Sequence, residues 1–264
     1  MRLKISHRTE YRYDAPVQYA LQRLRLVPRS SRTQTIHNWS LNVEGATEEA
    51  RFLDHFENET RLLSIAGDAT MIGVDAWGEV ETFDTAGVVG EHKGFAPLWL
   101  FQHATALTEP DEGIRELAAS TDGGSDLDRL HKLMNVIGVR VAYTQGATHA
   151  GTTAAEALQQ GSGVCQDHAH VFSAAARTLG YPSRYVSGYL MLNDTIDQAA
   201  SHAWAEAHVP NLGWVAFDPA NNISPDERYV RMAVGRDYRE ATPVSGIRLG
   251  WAEEQLAVSI TVEQ

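Results

Sequence analysis

The single cysteine of the 264-residue chain, Cys165, stands between the glycine-rich Gly161-Ser162-Gly163 and an apolar series at helical spacing, Val171, Ala174, Ala175 and Leu179. Gly180 and Tyr181-Pro182 form a stop signal, so Cys165 is predicted to open a helix. A thiol there feels unpaired backbone N–H groups and the positive end of the helix dipole, both of which favour thiolate over thiol. Glycines before it let a substrate carbonyl come close to the sulfur. A free cysteine more often packs in a core. Here the glycines on one side and the polar Gln166-Asp167-His168 on the other argue for a reactive position.

What a thiolate nucleophile needs stands further along, in Ser201-His202-Ala203-Trp204 and Gly213-Trp214-Val215-Ala216-Phe217-Asp218-Pro219. A histidine takes the thiol proton and returns it to a leaving amine, while a carboxylate fixes the imidazole tautomer and steadies its charge. Both segments read as strands joined by a turn at Pro210-Asn211-Leu212-Gly213. If Val209 pairs with Trp214, Asp218 falls opposite Ala205, roughly 10 Å along the strand from His202. Bringing His202 and Asp218 together therefore calls for a wider loop or a bulge.

In these blocks, Gly-Val-Cys-Gln-Asp at 163–167, Ser-His-Ala-Trp at 201–204 and Gly-Trp-Val-Ala-Phe-Asp-Pro at 213–219, the chain resembles the bacterial transglutaminase-like superfamily, related to papain-type cysteine enzymes. The resemblance implies Cys165 as nucleophile, His202 as general base and acid, and Asp218 as its partner. Family members also carry a Tyr-x-x-Gly-x-Thr stretch before the nucleophile, matched here by Tyr143 to Thr148. Tyr143 and Gln145 are thus candidates to stabilise an oxyanion beside the Cys165 backbone N–H; the plainer reading of Tyr143 is a core aromatic with a satisfied hydroxyl. Where the family helix often has an aromatic residue, this chain has His168. A Gly-Arg-Asp-Tyr stretch at 235–238 is similar to one in the family, which makes Arg236 and Tyr238 candidates for the substrate cleft, although ion pairing on a loop explains the charges more simply. Gly163, Asp167, His168 and Trp204 are further cleft candidates. Asp167 in a first helical turn also suits the dipole, and Trp204, two residues along a strand from His202, can shield the imidazole.

The elements that must position these groups change character along the chain. Residues 1–83 alternate in the strand manner, with Leu3, Ile5, His7, Thr9, Tyr11 and Tyr13 on one face, and predict a sandwich-like antiparallel β-domain. It resembles the N-terminal domain of the same bacterial family, with Asp54 to Asn58 among the matching positions. A connector, 84–105, is broken by Gly87, Gly90, Gly94 and Pro97. Helix signals follow: a start at Thr108-Glu109-Pro110-Asp111, a cap at Ser125 and a capping box from Thr153 to Glu156. Val139, Val141 and Tyr143 read as a short strand, and Leu256 to Val262 as a final one. A polar loop is expected from Asn193-Asp194. The catalytic core is therefore expected over 106–264. The fold class is α+β, a β-domain followed by a papain-like core whose nucleophile helix packs on an antiparallel sheet.

Composition narrows the chemistry. A formal charge of −12 argues against a general nucleic-acid binder and against docking on an anionic membrane. One cysteine forms no internal disulfide, Met1 to Ser6 lack the apolar stretch of a signal peptide, and the expected location is the cytoplasm. Cys165, His168 and His202 as zinc ligands would fit neither a Cys-x-x-Cys nor a His-Glu-x-x-His pattern, so no metal and no cofactor is expected. The expected reaction is acyl transfer from a carboxamide or peptide through a thioester, completed by water or by an amine co-substrate. A protein-binding module with an unused triad is the competing class. Oligomeric state is left open.

Overall fold

The computed structural model describes every residue except Asp194 and the side chain of Asp68, so the polar loop expected at Asn193-Asp194 lies partly outside the described residues. Alternation of buried and exposed residues from Leu3 to Thr9 builds a long strand, Arg2–Val27, at the centre of the first sheet. It pairs with Glu59–Thr82 on one side and with Val244–Leu249 and Glu254–Glu263 on the other. Gln34–Val43 and Ala46–Leu53 extend the far edge. The expected sandwich is one continuous antiparallel sheet. Register shifts between Arg12 and Tyr19 mark where it bends, and Val17, Leu24, Ile65 and Val74 from its two halves share a core.

The last two strands fall within the span expected for the catalytic core, yet their backbones pair with Arg2–Val27. Apolar matching explains the return: Ile260 and Val262 bury their side chains beside Leu3 and Ile5.

The second sheet runs in the order Tyr229–Gly235, Ser183–Leu190, His202–Val209, Gly213–Phe217, Val88–Gly90, so part of the expected connector is its edge strand. Its centre is covered by the helix Cys165–Thr178, whose residues from Asp167 to Arg177 are all buried. Small side chains set the approach, with Ala169, Ala174, Ala175 and Ala176 on the helix and Ala203, Ala205 and Ala207 on the strand in one cluster. Such a strand shows its other face to the first sheet, and that face carries His202, Trp204 and Glu206.

Three further helices pack around the central one, and their starts were only partly read from sequence. Ser125 and Thr153 cap Asp126–Arg140 and Ala154–Gln160 as expected, each with a reciprocal capping box. The first of the three begins later than expected: Asp111, not Thr108, accepts from the Ile114 N–H at 2.9 Å and starts Glu112–Ala119. Val139 continues the second helix, leaving only Ala142–Tyr143 as strand.

Two amide side chains fasten the first sheet to the second. Gln34 donates to the Arg231 carbonyl and accepts from its N–H, both at 2.8 Å, and Asn58 does the same with Val234 at 2.8 and 2.9 Å. Each amide satisfies backbone groups of the edge strand that would otherwise be buried unpaired. Asp54 holds Asn58 in place by accepting from its N–H at 3.0 Å, and pairs with buried Arg25 at 2.9 Å.

Candidate active site

The turn that joins the two site-bearing strands decides whether His202 and Asp218 meet. Val209 pairs with Gly213, not with Trp214, so three residues form the connection. Pro210 followed by Asn211 at φ 66° suits a type II turn, closed by the Leu212 N–H on the Val209 carbonyl at 3.2 Å. Gly213, at φ 79°, lies so near the Gly90 carbonyl that a Cβ would stand 2.2 Å from it. A one-residue shift exchanges the faces of a strand. Carried to the strand ends, this register sets Asp218 opposite Trp204 and on the same face as His202, one diagonal step away. The expected wider loop or bulge is therefore replaced by a tighter turn.

Across that diagonal the His202 Nε2–H donates to Asp218 Oδ2 at 2.7 Å. Asp218 is fully buried and accepts four more bonds: from Asn221 Nδ2 at 2.8 Å and the Tyr229 hydroxyl at 2.7 Å on Oδ2, and from the N–H groups of Ala220 and Asn221 on Oδ1. Burial pushes its carboxyl pKa up, but these bonds and the charge of His202 outweigh that and hold it below its ordinary value. Burial likewise works against a charged His202. Hydrogen bonds and charge from Asp218 and Cys165 prevail, and its pKa is raised to about 10.

Cys165 is the first residue of its helix and His202 the first of its strand, and the thiol lies near enough to help raise the pKa of the imidazole. With Nε2 given to Asp218, Nδ1 is the ring nitrogen left for the sulfur. Trp204 stacks beside the imidazole, ring centres 6.2 Å apart. Its own ring needs Gly188, where a Cβ would meet it at 2.6 Å.

The expected role of Gly163 changes. A Cβ there would lie 2.6 Å from Asp167 Oδ2, so the missing side chain admits a carboxylate of the protein itself. Asp167 is buried, accepts from the Val164 N–H at 2.7 Å and the Thr148 hydroxyl at 2.6 Å, and so ties the approach segment to the helix start. His168 is buried too, its ring nitrogens 2.9 Å from the Val164 carbonyl and 2.8 Å from the Val141 carbonyl. Neither side chain presents itself to a cleft; both anchor the segment that carries Tyr143.

Tyr143 pairs with Gly163 in a short parallel ladder, two residues before the sulfur. It is 53% exposed, so it is not the core aromatic of the simpler reading. Partial burial, then the charge of Cys165, raise its pKa against the opposing influence of the exposed Gln145, so it stands at the site as a neutral hydroxyl. Arg236 is held elsewhere: its side chain pairs with Glu240, and its carbonyl accepts from the buried Arg177 at 2.6 Å. Tyr238 gives its N–H to His170 at 3.0 Å and packs on Tyr185. Tyr185 is buried and raised well above its ordinary pKa, first by burial and then by the charge of Cys165, so Tyr238 borders the site through it.

Asn221, Tyr229, Tyr185 and Thr148 were missed as participants. Asn221 had a signal, since an aspartate three residues before an asparagine favours an Asx turn. Tyr229 reaches Asp218 only because the strand Tyr229–Gly235 returns beside Ser183–Leu190, which the sequence pattern did not show.

Comparison with known proteins agrees with this architecture. The transglutaminase-like superfamily model matches residues 115–219, and the bacterial transglutaminase-like N-terminal region matches 3–81. The chain belongs to the transglutaminase-like superfamily and carries the bacterial N-terminal region. An uncharacterised protein of Mycobacterium leprae is 28% identical over 99% of this chain and 98% of its own length. A protein-glutamine gamma-glutamyltransferase of Pseudomonas aeruginosa is 32% identical over 33% of this chain and 15% of its own length. Among solved structures, one from Cytophaga hutchinsonii described as a putative cysteine protease shares the fold with a TM-score of 0.78 at 21% identity, covering 100% of this chain and 91% of its own.

Proposed function

We propose that this protein is a cysteine-dependent acyl-transfer enzyme that opens carboxamide or peptide bonds. The observation that carries the reading is His202, close to the Cys165 sulfur, held by a buried, five-fold hydrogen-bonded Asp218. Sulfur attacks the carboxamide carbon to form a C–S bond, and the carbonyl electrons move onto oxygen beside the Tyr143 hydroxyl and the Cys165 N–H. As the carbonyl re-forms, the C–N bond breaks and the departing nitrogen takes the proton from His202. Asp218 keeps the ring oriented and charged meanwhile.

A water molecule then gives its proton to His202, adds to the thioester and releases a carboxylic acid, with the proton returned to sulfur. Hydrolysis is the outcome we favour, because water is always present and nothing among the described residues identifies an amine site. The name of the Pseudomonas relative keeps a lysine amine in the test as the other acceptor. The substrate class is a peptide or protein, and the enzyme is proposed to act in the cytoplasm.

The test is mass spectrometry of peptide mixtures incubated with the protein, with and without an amine donor. Hydrolysed amides support a peptidase or amidase, and amine adducts a transglutaminase. An acyl adduct on Cys165 in the intact mass identifies the thioester. If neither products nor adduct form, and Cys165 alkylates no faster than a free thiol, the binding-module reading replaces this one.

A further inference from the structure

Between the first sheet and the core lies a cleft of about 560 Å³, within the range of roughly 300–1,000 Å³ usual for small-molecule sites. Arg29 and Arg32 line it from the loop after the first strand, Lys93 from the connector, and Arg184 and Arg231 from the core sheet. Two acids, Glu57 and Glu91, share the lining with these five cations. Glu206 lies under it, fully buried, and binds both Arg184, at 2.5 Å, and Arg231, at 3.0 Å. Even with that carboxylate counted the cleft keeps an excess of positive charge, in a chain whose formal charge is −12.

A structural ion network explains Arg184, Arg231 and Glu206, and Arg29 pairs with Glu57 at 3.5 Å. It does not explain Arg32 and Lys93, which form no ion pair among the described residues. Like charges gathered from three segments repel one another unless something neutralises them. The arginines are also prepared for a ligand: Arg184 is buried, locked by Glu206, and lies 4.0 Å over the Trp214 ring. A guanidinium fixed in this way loses little freedom when it meets a carboxylate or phosphate.

We infer that this cleft binds a small polyanion carrying phosphate or carboxylate groups. Glu206 is four residues from His202, about 13 Å along the strand, so the ligand does not touch the sulfur. Arg32 and Lys93 close the site over the anion from opposite sides of the boundary between the sheets. An occupant therefore also holds the first sheet to the core.

Isothermal titration of the full chain with inorganic pyrophosphate and, separately, with citrate tests the inference and distinguishes the two ligand chemistries. Saturable one-to-one binding of either is expected, weakening as sodium chloride is raised. Arg32→Ala/Lys93→Ala, at two exposed positions, should weaken it by at least about tenfold. Cys165→Ser should bind as the parent does, which separates this site from the proposed chemistry. Absence of saturable binding for both anions, or equal binding by the double variant while its circular dichroism matches the parent, would overturn the inference.

Discussion

One face of the core sheet carries two fully buried carboxylates, Asp218 and Glu206, and they are neutralised in different ways. Glu206 sits between two guanidiniums, Arg184 and Arg231. Asp218 has one cationic partner, His202, and otherwise neutral donors from Tyr229, Asn221 and the backbone. Both carboxyls are held below their ordinary pKa although burial pushes each the other way. The difference lies in the partner: arginines fix a charge, while an imidazole beside a thiol lends a proton. Burial of a charged pair alone therefore does not mark a catalytic site.

The comparison breaks most sharply at the sulfur. Cys165→Ala should lower turnover by at least about a thousandfold and leave circular dichroism unchanged; retained activity would rule out covalent catalysis at this sulfur. Asp218→Asn should cost roughly 100- to 10,000-fold in kcat. It should also move the alkaline limb of the pH–rate profile to lower pH, because it removes what holds the His202 pKa at about 10 and leaves the burial that lowers it. An unmoved limb would mean that Asp218 does not set the state of the imidazole.

Glu206→Gln is expected to do the reverse. It should destabilise the fold by about 3 kcal/mol or more in urea titrations, since it leaves two cations facing each other, and leave the pH–rate limb in place. The two pairs should also fail at opposite ends of the pH scale. A raised His202 pKa gives stability that is complete below its ordinary 6.5 and lost as pH rises through about 10. The lowered Glu206 pKa gives stability complete above its ordinary 4.5 and lost as pH falls through its folded value. Thermal melts of His202→Gln and Glu206→Gln against pH check this: each variant should flatten one edge only. The smallest effect is expected from Tyr229→Phe, about tenfold in kcat/KM for one lost bond to a charged acceptor.

The sequence carried the residue types of the site better than its geometry. Cys165, His202 and Asp218 stood out because each lay in a block with its own local logic: a helix start after glycines, and two strands with an intervening turn. The register error came from a single residue in that turn, where Gly213 joins the strand because only a glycine fits against Gly90. Helix caps were readable at Ser125 and Thr153, where a side chain three residues on completes a box, and misread near Asp111, where Pro110 drew the start too early. Gln34 gave no signal and Asn58 only a family likeness, since their partners lie 197 and 176 residues away. Their side chains take the place of a neighbouring strand, and no local pattern announces that.

The pairing of Glu254–Glu263 sets an order of events during synthesis. Arg2–Val27 leaves the ribosome well before its partner on this side. Thr261 and Ile260 then also pair with Asp197 and Gln198, a few residues ahead of His202. A nascent chain halted before Val244 would expose the flank of its first strand and leave the approach to the imidazole without its last support. Closure of the first sheet and completion of the candidate site are thereby linked.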